Sequence, residues 1–386
     1  MLTRNILFKN FNNKNKKKNI KILLKNLLLE NNQILQSFKK TYKDSFNKKF
    51  LIRLKKYPQI VLIGMGGSIL GARSIFNFLN YKIKKFFLFY DDFGKKNEKI
   101  TKRKNLNLII SKSGNTLETI VNVNTLITGR DKNVFITENK KSYLMKLANQ
   151  IKADVIHHNN FIGGRYSVLS EVGMVPAALM GLNINKFRRF NSLIKNKNFM
   201  NSLIINVSNM LNFLNKKKSN SIILNYDERS SDLFLWYQQL VAESLGKKGK
   251  GLLPIISKMP KDNHSLMQLY LDGPRNNFFT FFFVNEDNST KIKNHNLNSS
   301  HFYLKNKKVN EIKYSQFLAT ENVFKKKNIP FRSFLIKKRN EETLGELFTF
   351  FMLETILLGK AINVNPYTQP SVELIKNDTK KFLKKN

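Results

Sequence analysis

Ser111-Lys112-Ser113-Gly114-Asn115-Thr116-Leu117-Glu118-Thr119 is the stretch that decides how this chain folds. It follows a short apolar run, Leu106 to Ile110, and opens a segment with apolar residues at helical spacing: Leu117, Ile120, Val121 and Val123. Strand, hydroxyl-rich turn and helix start, in that order, build an anion site. The first amides of a helix have no partner inside it, and the macrodipole is positive there. Ser111, Ser113 and Thr116 add hydroxyls, and Gly114 lets the backbone come close to a ligand. A phosphate monoester suits such a site. The competing reading is an ordinary N-cap, with Ser113 or Thr116 capping and Glu118 in the first turn.

The neighbouring segments repeat the pattern. Gln59 to Ile63 is a short β-branched run, followed by Gly64-Met65-Gly66-Gly67-Ser68 and another helix start. Gly64, Gly66 and then Ile69 fail the Gly-x-Gly-x-x-Gly spacing of a dinucleotide site, although Asp91 and Asp92 follow the next strand. The turn instead suits a sugar or phosphate, with Ser68 as a hydroxyl contact. Strand-like runs recur at 86–90, 106–110, 133–137 and 153–156, separated by helical segments. That alternation predicts a parallel sheet covered on both faces, with ligands at the carboxyl ends of its strands. Gly163-Gly164-Arg165-Tyr166-Ser167 offers a guanidinium fork that can face an anion, and Val168 to Leu182 reads as a buried helix containing Pro176.

A second β/α set starts near residue 200. Helices are expected at 201–214, 233–245, 317–327 and 344–360, and strands at 221–226, 251–256, 278–285 and 331–336. Glu243 stands among apolar neighbours near the end of its helix, before the stop at Gly246. Buried, such a carboxylate becomes a base near neutrality; solvated, it is an ordinary surface group. His264 precedes an apolar segment, while His295 and His301 fall in a Lys/Asn-rich loop. No histidine spacing suggests a metal site. Residues 1 to about 50 read as amphipathic helices interrupted by a polar loop at Asn12–Lys18. Near the end, Pro366 and Pro370 make a rigid turn, and Ser371 caps a final helix carrying Lys376.

The 386 residues, 41% of them hydrophobic, suffice for two domains of ordinary size. The absence of cysteine excludes disulfides, thiolate nucleophiles and cysteine metal sites. Apolar runs fall far short of the roughly 20 residues that cross a membrane. The first 18 residues lack a secretory apolar core, so a cytoplasmic enzyme without membrane partners is expected. The formal charge of +42 raises the question of nucleic acid. Lysine, however, is spread along the whole chain among Asn, Ile and Phe, all with AT-rich codons, and no binding motif accompanies it. That distribution reads as compositional drift, with no specific nucleic-acid partner.

Six segments together resemble the glucose-6-phosphate isomerase family in its short bacterial-type form. They are Ile63-Gly-Met-Gly-Gly-Ser68, Ser111 to Thr119, Gly163-Gly-Arg-Tyr-Ser-Val-Leu-Ser170, Trp236-Tyr-Gln-Gln-Leu-Val-Ala-Glu-Ser-Leu-Gly246, Asp262-Asn-His-Ser-Leu-Met-Gln-Leu-Tyr-Leu-Asp-Gly-Pro274 and Asn365-Pro-Tyr-Thr-Gln-Pro-Ser-Val-Glu-Leu-Ile-Lys376. They occur in the family's order. The resemblance implies an α/β fold of two sugar-isomerase (SIS) domains. Each is a parallel-sheet αβα sandwich, at 51–190 and 191–362, with an N-terminal helical segment at 1–50 and a C-terminal turn and helix at 363–386.

The implied reaction interconverts glucose 6-phosphate and fructose 6-phosphate by ring opening and proton transfer through a cis-enediolate, with no metal and no cofactor. Residue by residue, Glu243 matches the base, Arg165 the cation beside the enediolate, and His264 and Lys376 the ring-opening groups. Ser111, Lys112, Ser113 and Thr116 match the phosphate cradle, and Gly67, Ser68 and Gln369 contacts to the sugar. The resemblance also implies a homodimer in which His264 reaches the neighbouring subunit's site. The chain is shorter than most members, and Asn263 stands where Gln is common. Two alternatives accompany this reading: an isomerase that also takes mannose 6-phosphate, and a non-catalytic sugar-phosphate sensor. For the charge, the expectation is weak, salt-sensitive DNA binding. A fluorescence titration checks it, and nanomolar affinity persisting above physiological salt would overturn it.

Overall fold

The computed structural model describes residues 1–11, 17–93, 105–286, 289–293 and 297–385. Residues 12–16 of the expected polar loop and His295 lie outside the described residues. Ten strands are described: β1 (Ile6–Lys9), β2 (Gln59–Gly64), β3 (Phe86–Tyr90), β4 (Leu106–Ile110), β5 (Lys132–Thr137), β6 (Asp154–His157), β7 (Asn220–Asn225), β8 (Leu253–Lys258), β9 (Asn277–Val284) and β10 (Phe331–Ile336). They form two five-stranded sheets, ordered β3-β2-β4-β5-β6 and β1-β10-β9-β7-β8. The first is parallel throughout. The second is parallel except for β1, which runs antiparallel to β10.

The strands are readable as apolar runs because both faces are covered. Along β2, Ile60 and Leu62 enter one apolar cluster while Val61 and Ile63 enter another, closed by Val123, Leu126, Leu144 and Ala148 from two helices. The second sheet does the same: Phe278 and Phe282 face one cluster, and Phe279, Phe281 and Phe283 the other, where Phe317 and Phe324 cover them. One cluster takes inward residues from both sheets, so the helices between them share a continuous core. Its main element is the Glu341–Ala361 helix, buried over nearly its whole length.

Among the departures from the sequence expectation, three have clear local causes. The N-terminal segment is not helical throughout, because Ile6–Lys9 pairs with β10 and Phe8 packs on Phe334 with ring centroids 4.5 Å apart. The expected 201–214 helix begins at Lys197, where Asn196 accepts from the amides of Asn198 and Phe199. The run 168–182 is divided: a 3₁₀ turn spans Gly164–Leu169, and the α-helix covers only Glu171–Leu179, with Pro176 inside.

The Ser231–Leu245 helix, which carries Glu243, is pinned by a buried polar network. Arg332 on β10 and Glu354 on the long helix are ion-paired and essentially without solvent exposure. Tyr237 Oη donates to Glu354 Oε1 at 2.8 Å, Arg332 Nε to Thr280 Oγ1 at 2.9 Å, and Arg332 Nη1 to Asn206 Oδ1 at 2.8 Å. Burial, with the Glu354 carboxylate beside it, pushes the Tyr237 phenol well above its ordinary value. Breaking one member leaves the other charge unpaired in a low-dielectric core. Glu354→Leu should therefore cost about 3–5 kcal/mol in urea unfolding, and the double variant R332M/E354L should recover most of that. A loss under about 1 kcal/mol for Glu354→Leu would show that the pair carries little of the stability.

Candidate active site

The chain passes from β2 to β3 on one side and then to β4 on the other, so the first sheet reverses its order at β2. The crevice at such a reversal, outside the carboxyl ends of the strands, is where ligands bind in open α/β sheets. Gly64 at the end of β2 pairs with Ile110 at the end of β4, which sets the Gly64–Ser68 and Ser111–Thr116 turns side by side. The Gly163-Gly164-Arg165 turn closes against the first of these. A Cβ at Gly67 would lie 2.2 Å from the Gly164 carbonyl carbon and 2.4 Å from the Arg165 amide, so only glycine allows the contact.

That contact aims Arg165 into the site. All five of its N–H groups have partners. Nε donates to Ser244 Oγ at 2.8 Å, Nη1 to Glu243 Oε2 at 3.1 Å and Gln369 Oε1 at 2.8 Å, and Nη2 to the carbonyls of Pro366 at 2.8 Å and Thr368 at 3.2 Å. Its own carbonyl accepts from Trp236 Nε1 at 3.2 Å. Arg165 is thus buried and saturated, while the Glu243 side chain remains 31% exposed and open to a ligand. Gln239, one helical turn before Glu243, donates through Nε2 to Glu243 Oε1 at 2.9 Å. Its Oε1 is buried without a protein partner. A carboxylate held by an amide on one side and a guanidinium on the other can take and return a proton at a fixed position.

In the Ser111 turn, the anion reading and the N-cap reading separate. Thr116 occupies the N-cap position of the Leu117–Leu126 helix but takes no hydrogen bond from the helix amides. Its hydroxyl instead meets Ser111 Oγ at 2.8 Å, and Ser111 Oγ accepts from the Gly114 amide at 3.2 Å. Gly114 has φ of +66°, and a Cβ there would meet Ser142 Oγ at 2.2 Å. Ser113 is exposed on the turn, and its hydroxyl accepts from the Asn115 amide at 3.2 Å. Lys112 Nζ lies 3.5 Å from Glu138, which also pairs with Lys140 at 3.1 Å. The helix N-terminus keeps its donors, and a lysine is held close by.

The fold therefore brings Gly67, Ser68, Arg165, Glu243 and Gln369 together, with Ser111, Lys112, Ser113 and Thr116 at the adjacent strand end. Among the described residues, His264 and Lys376 form no hydrogen bond or ion pair with any of these. His264 ends a 3₁₀ turn after edge strand β8 and is exposed. The turn is stapled by Asp262, which accepts from Ser257 Oγ, the Lys258 amide and Ser265 Oγ at 2.8, 2.7 and 3.0 Å. Lys376 is exposed on the Val372–Lys385 helix and pairs with Glu373 of the same helix at 2.6 Å. Among the described residues no helix is long and apolar enough to cross a membrane.

The phosphoglucose isomerase family model matches residues 4–386. The glucose-6-phosphate isomerase of Methanocaldococcus jannaschii is 31% identical over 339 residues, covering 83% of this chain and 83% of the relative. That of Mycoplasmopsis synoviae is 32% identical over 351 residues, covering 84% and 82%. Among solved structures, a hypothetical protein from Thermus thermophilus superposes with a TM-score of 0.81 at 23% identity, over 94% of each chain. A glucose-6-phosphate isomerase from Chlamydia trachomatis superposes with a TM-score of 0.70 at 19% identity, over 87% of this chain and 71% of that one. These two structural likenesses are likenesses of fold.

Two polar neighbours of Glu243 escaped the sequence reading. Gln239 was legible in principle, since i and i+4 share a helix face. Lys247 lies just past the helix end, where its ammonium donates to the carbonyls of Glu243 and Ser244, both at 2.6 Å. Burial, then the nearby Arg165, pull it down to about 8, against a smaller upward pull from Glu243. Below that pH Lys247 is charged and caps the negative end of the helix; above it the charge is lost. Competitive acetylation read by mass spectrometry should give Lys247 a labelling midpoint near 8, well below the ordinary lysine value of 10.5. A midpoint at the ordinary lysine value would overturn this assignment.

Proposed function

The chain belongs to the phosphoglucose isomerase family, and we propose that it interconverts glucose 6-phosphate and fructose 6-phosphate with Glu243 as the proton-transferring base. The observation that carries the assignment of the base is the Glu243–Arg165 pair, 3.1 Å apart where the two glycine turns meet. In the proposed mechanism the phosphate binds Ser111, Ser113, Thr116 and the free helix amides, with Lys112 turning from Glu138 toward it. This binding does no chemistry. It holds C1 and C2 of the opened sugar against Glu243, so that its energy appears as orientation.

Glu243 takes the proton from C2 and returns it to C1, or the reverse, and the hydroxyl proton moves between the two oxygens. Negative charge develops on the enediolate oxygen, beside Arg165 Nη1. A preorganised donor of this kind is worth roughly 3–4 kcal/mol of transition-state stabilisation. Gly67, Ser68 and Gln369 position the sugar hydroxyls in this scheme. His264 and Lys376 open the ring. Because His264 is exposed in the single chain, the proposal assigns it to the site of a second copy, making the working form a cytoplasmic homodimer. Closure of the Val372–Lys385 helix would bring in Lys376.

The test is Glu243→Gln. With fructose 6-phosphate supplied and glucose 6-phosphate read by its dehydrogenase, turnover should fall at least about 100-fold, as expected for loss of a general base. Binding of fructose 6-phosphate, followed by calorimetry, should stay within about threefold, because the phosphate contacts are untouched. A near-normal rate in this variant would remove Glu243 as the base.

A further inference from the structure

A cavity of about 480 Å³ opens at the amino ends of β9 and β10, walled by residues that form no hydrogen bond or ion pair with the Glu243 site among the described residues. Its floor is aromatic. Phe213, Tyr270 and Phe279 are each buried beneath it, with Tyr270 and Phe279 edge to face at 5.3 Å. Its rim is cationic, with Lys216, Lys218, Arg275 and Lys327 around one opening.

The charges at this rim are poorly balanced. Lys327 pairs with Asp272 at 2.5 Å, and Arg275 acts on the same carboxylate from farther off, while Lys216, Lys218 and Arg275 form no salt bridge among the described residues. The Lys197–Asn215 and Val309–Lys326 helices end beside the cavity and contribute about half a negative charge each. Four cations, less Asp272, these two helix ends and the end of the short Met267–Asp272 helix, leave about one to two positive charges at the rim. Consistent with this, Lys218 sits below its ordinary value, first through burial and then through Arg275 and Lys216. The Asn328 amide stands at the same rim, exposed and with no protein partner for its side chain among the described residues.

Size, floor and rim together select the ligand. The volume falls in the range of small-molecule sites and is far more than inorganic phosphate fills. An aromatic floor takes a planar ring, and the rim takes about one to two negative charges. We propose that this cavity binds a nucleoside phosphate, separately from the sugar-phosphate site. Tyr270 belongs to the helix that begins just after the His264 turn, so an occupant would press on the element that positions His264.

The experiment titrates the full-length protein, saturated with fructose 6-phosphate, with ADP, adenosine and inorganic phosphate by calorimetry. ADP should bind at one site with a dissociation constant below about 1 mM, and adenosine and phosphate each at least about tenfold more weakly. The double variant K218Q/R275Q should weaken ADP about tenfold or more, while fructose 6-phosphate turnover and thermal unfolding stay unchanged. Because Lys218 also bonds the Arg275 carbonyl, the single variant Lys216→Gln serves as a second probe and should weaken ADP at least about threefold. Absence of ADP binding, displacement of ADP by fructose 6-phosphate, equal binding of ADP and phosphate, or ADP binding indifferent to these variants would each overturn the proposal.

Discussion

The guanidinium of Arg165 is the constraint on which the site depends. A buried charge in a low-dielectric interior is tolerated only when every donor is matched. Here the matching groups come from two parts of the chain far from Arg165 and from each other: the Glu243–Ser244 end of a helix, and the Pro366–Gln369 turn, which gives the carbonyls of Pro366 and Thr368 and the Gln369 side-chain amide. Neither of these parts can form the site without the other. The bonding also divides the chemistry. Nε and Nη2 bind a hydroxyl and two backbone carbonyls, which fix the plane of the group. Only Nη1 is bound to two side chains, and only these can exchange for an oxyanion without disturbing the frame.

The frame is built in two layers. The nearer is a backbone contact: Gly67 against Gly164, with no room for a methyl group, which sets the distance between the turn after β2 and the turn that carries Arg165. The farther is the Arg332–Glu354–Tyr237 network, which fixes the helix bearing Gln239 and Glu243 to the second sheet and the long central helix. A base must keep its position to within a fraction of an ångström while its protonation changes. Both layers use interactions that either fit or fail, since packed interiors deform little.

Much of this was legible in the sequence, for physical reasons. Parallel strands covered on both faces must be continuous apolar runs, so β2 to β10 stand out against a Lys- and Asn-rich background. The glycine and serine turns stand out because their conformations need those residues. Other features leave no local mark. β1 is four residues long, and its partner lies at the other end of the chain. The helix starts at Lys197 and Glu341 depend on Asn196 and Asn340, which look like any other Asn in so Asn-rich a sequence. The partners of Arg165 include main-chain carbonyls, which carry no residue signature at all. His264 and Lys376 were expected by resemblance alone, and the single chain leaves both exposed.

The placement of β1 bears on the order in which the protein can be made. Ile6 pairs with Ile336, a separation of 336 − 6 = 330 residues. During synthesis at about 5–20 residues per second, the first strand leaves the ribosome roughly 16 to 66 s before its partner exists. Through that interval Ile6, Leu7 and Phe8 form an unpaired, apolar edge, the kind of segment that finds wrong partners. The first sheet, whose strands all lie between Gln59 and His157, can close meanwhile. The second sheet can take β1 onto its edge only once β10 has been made, so that edge stays open through the synthesis of everything between them.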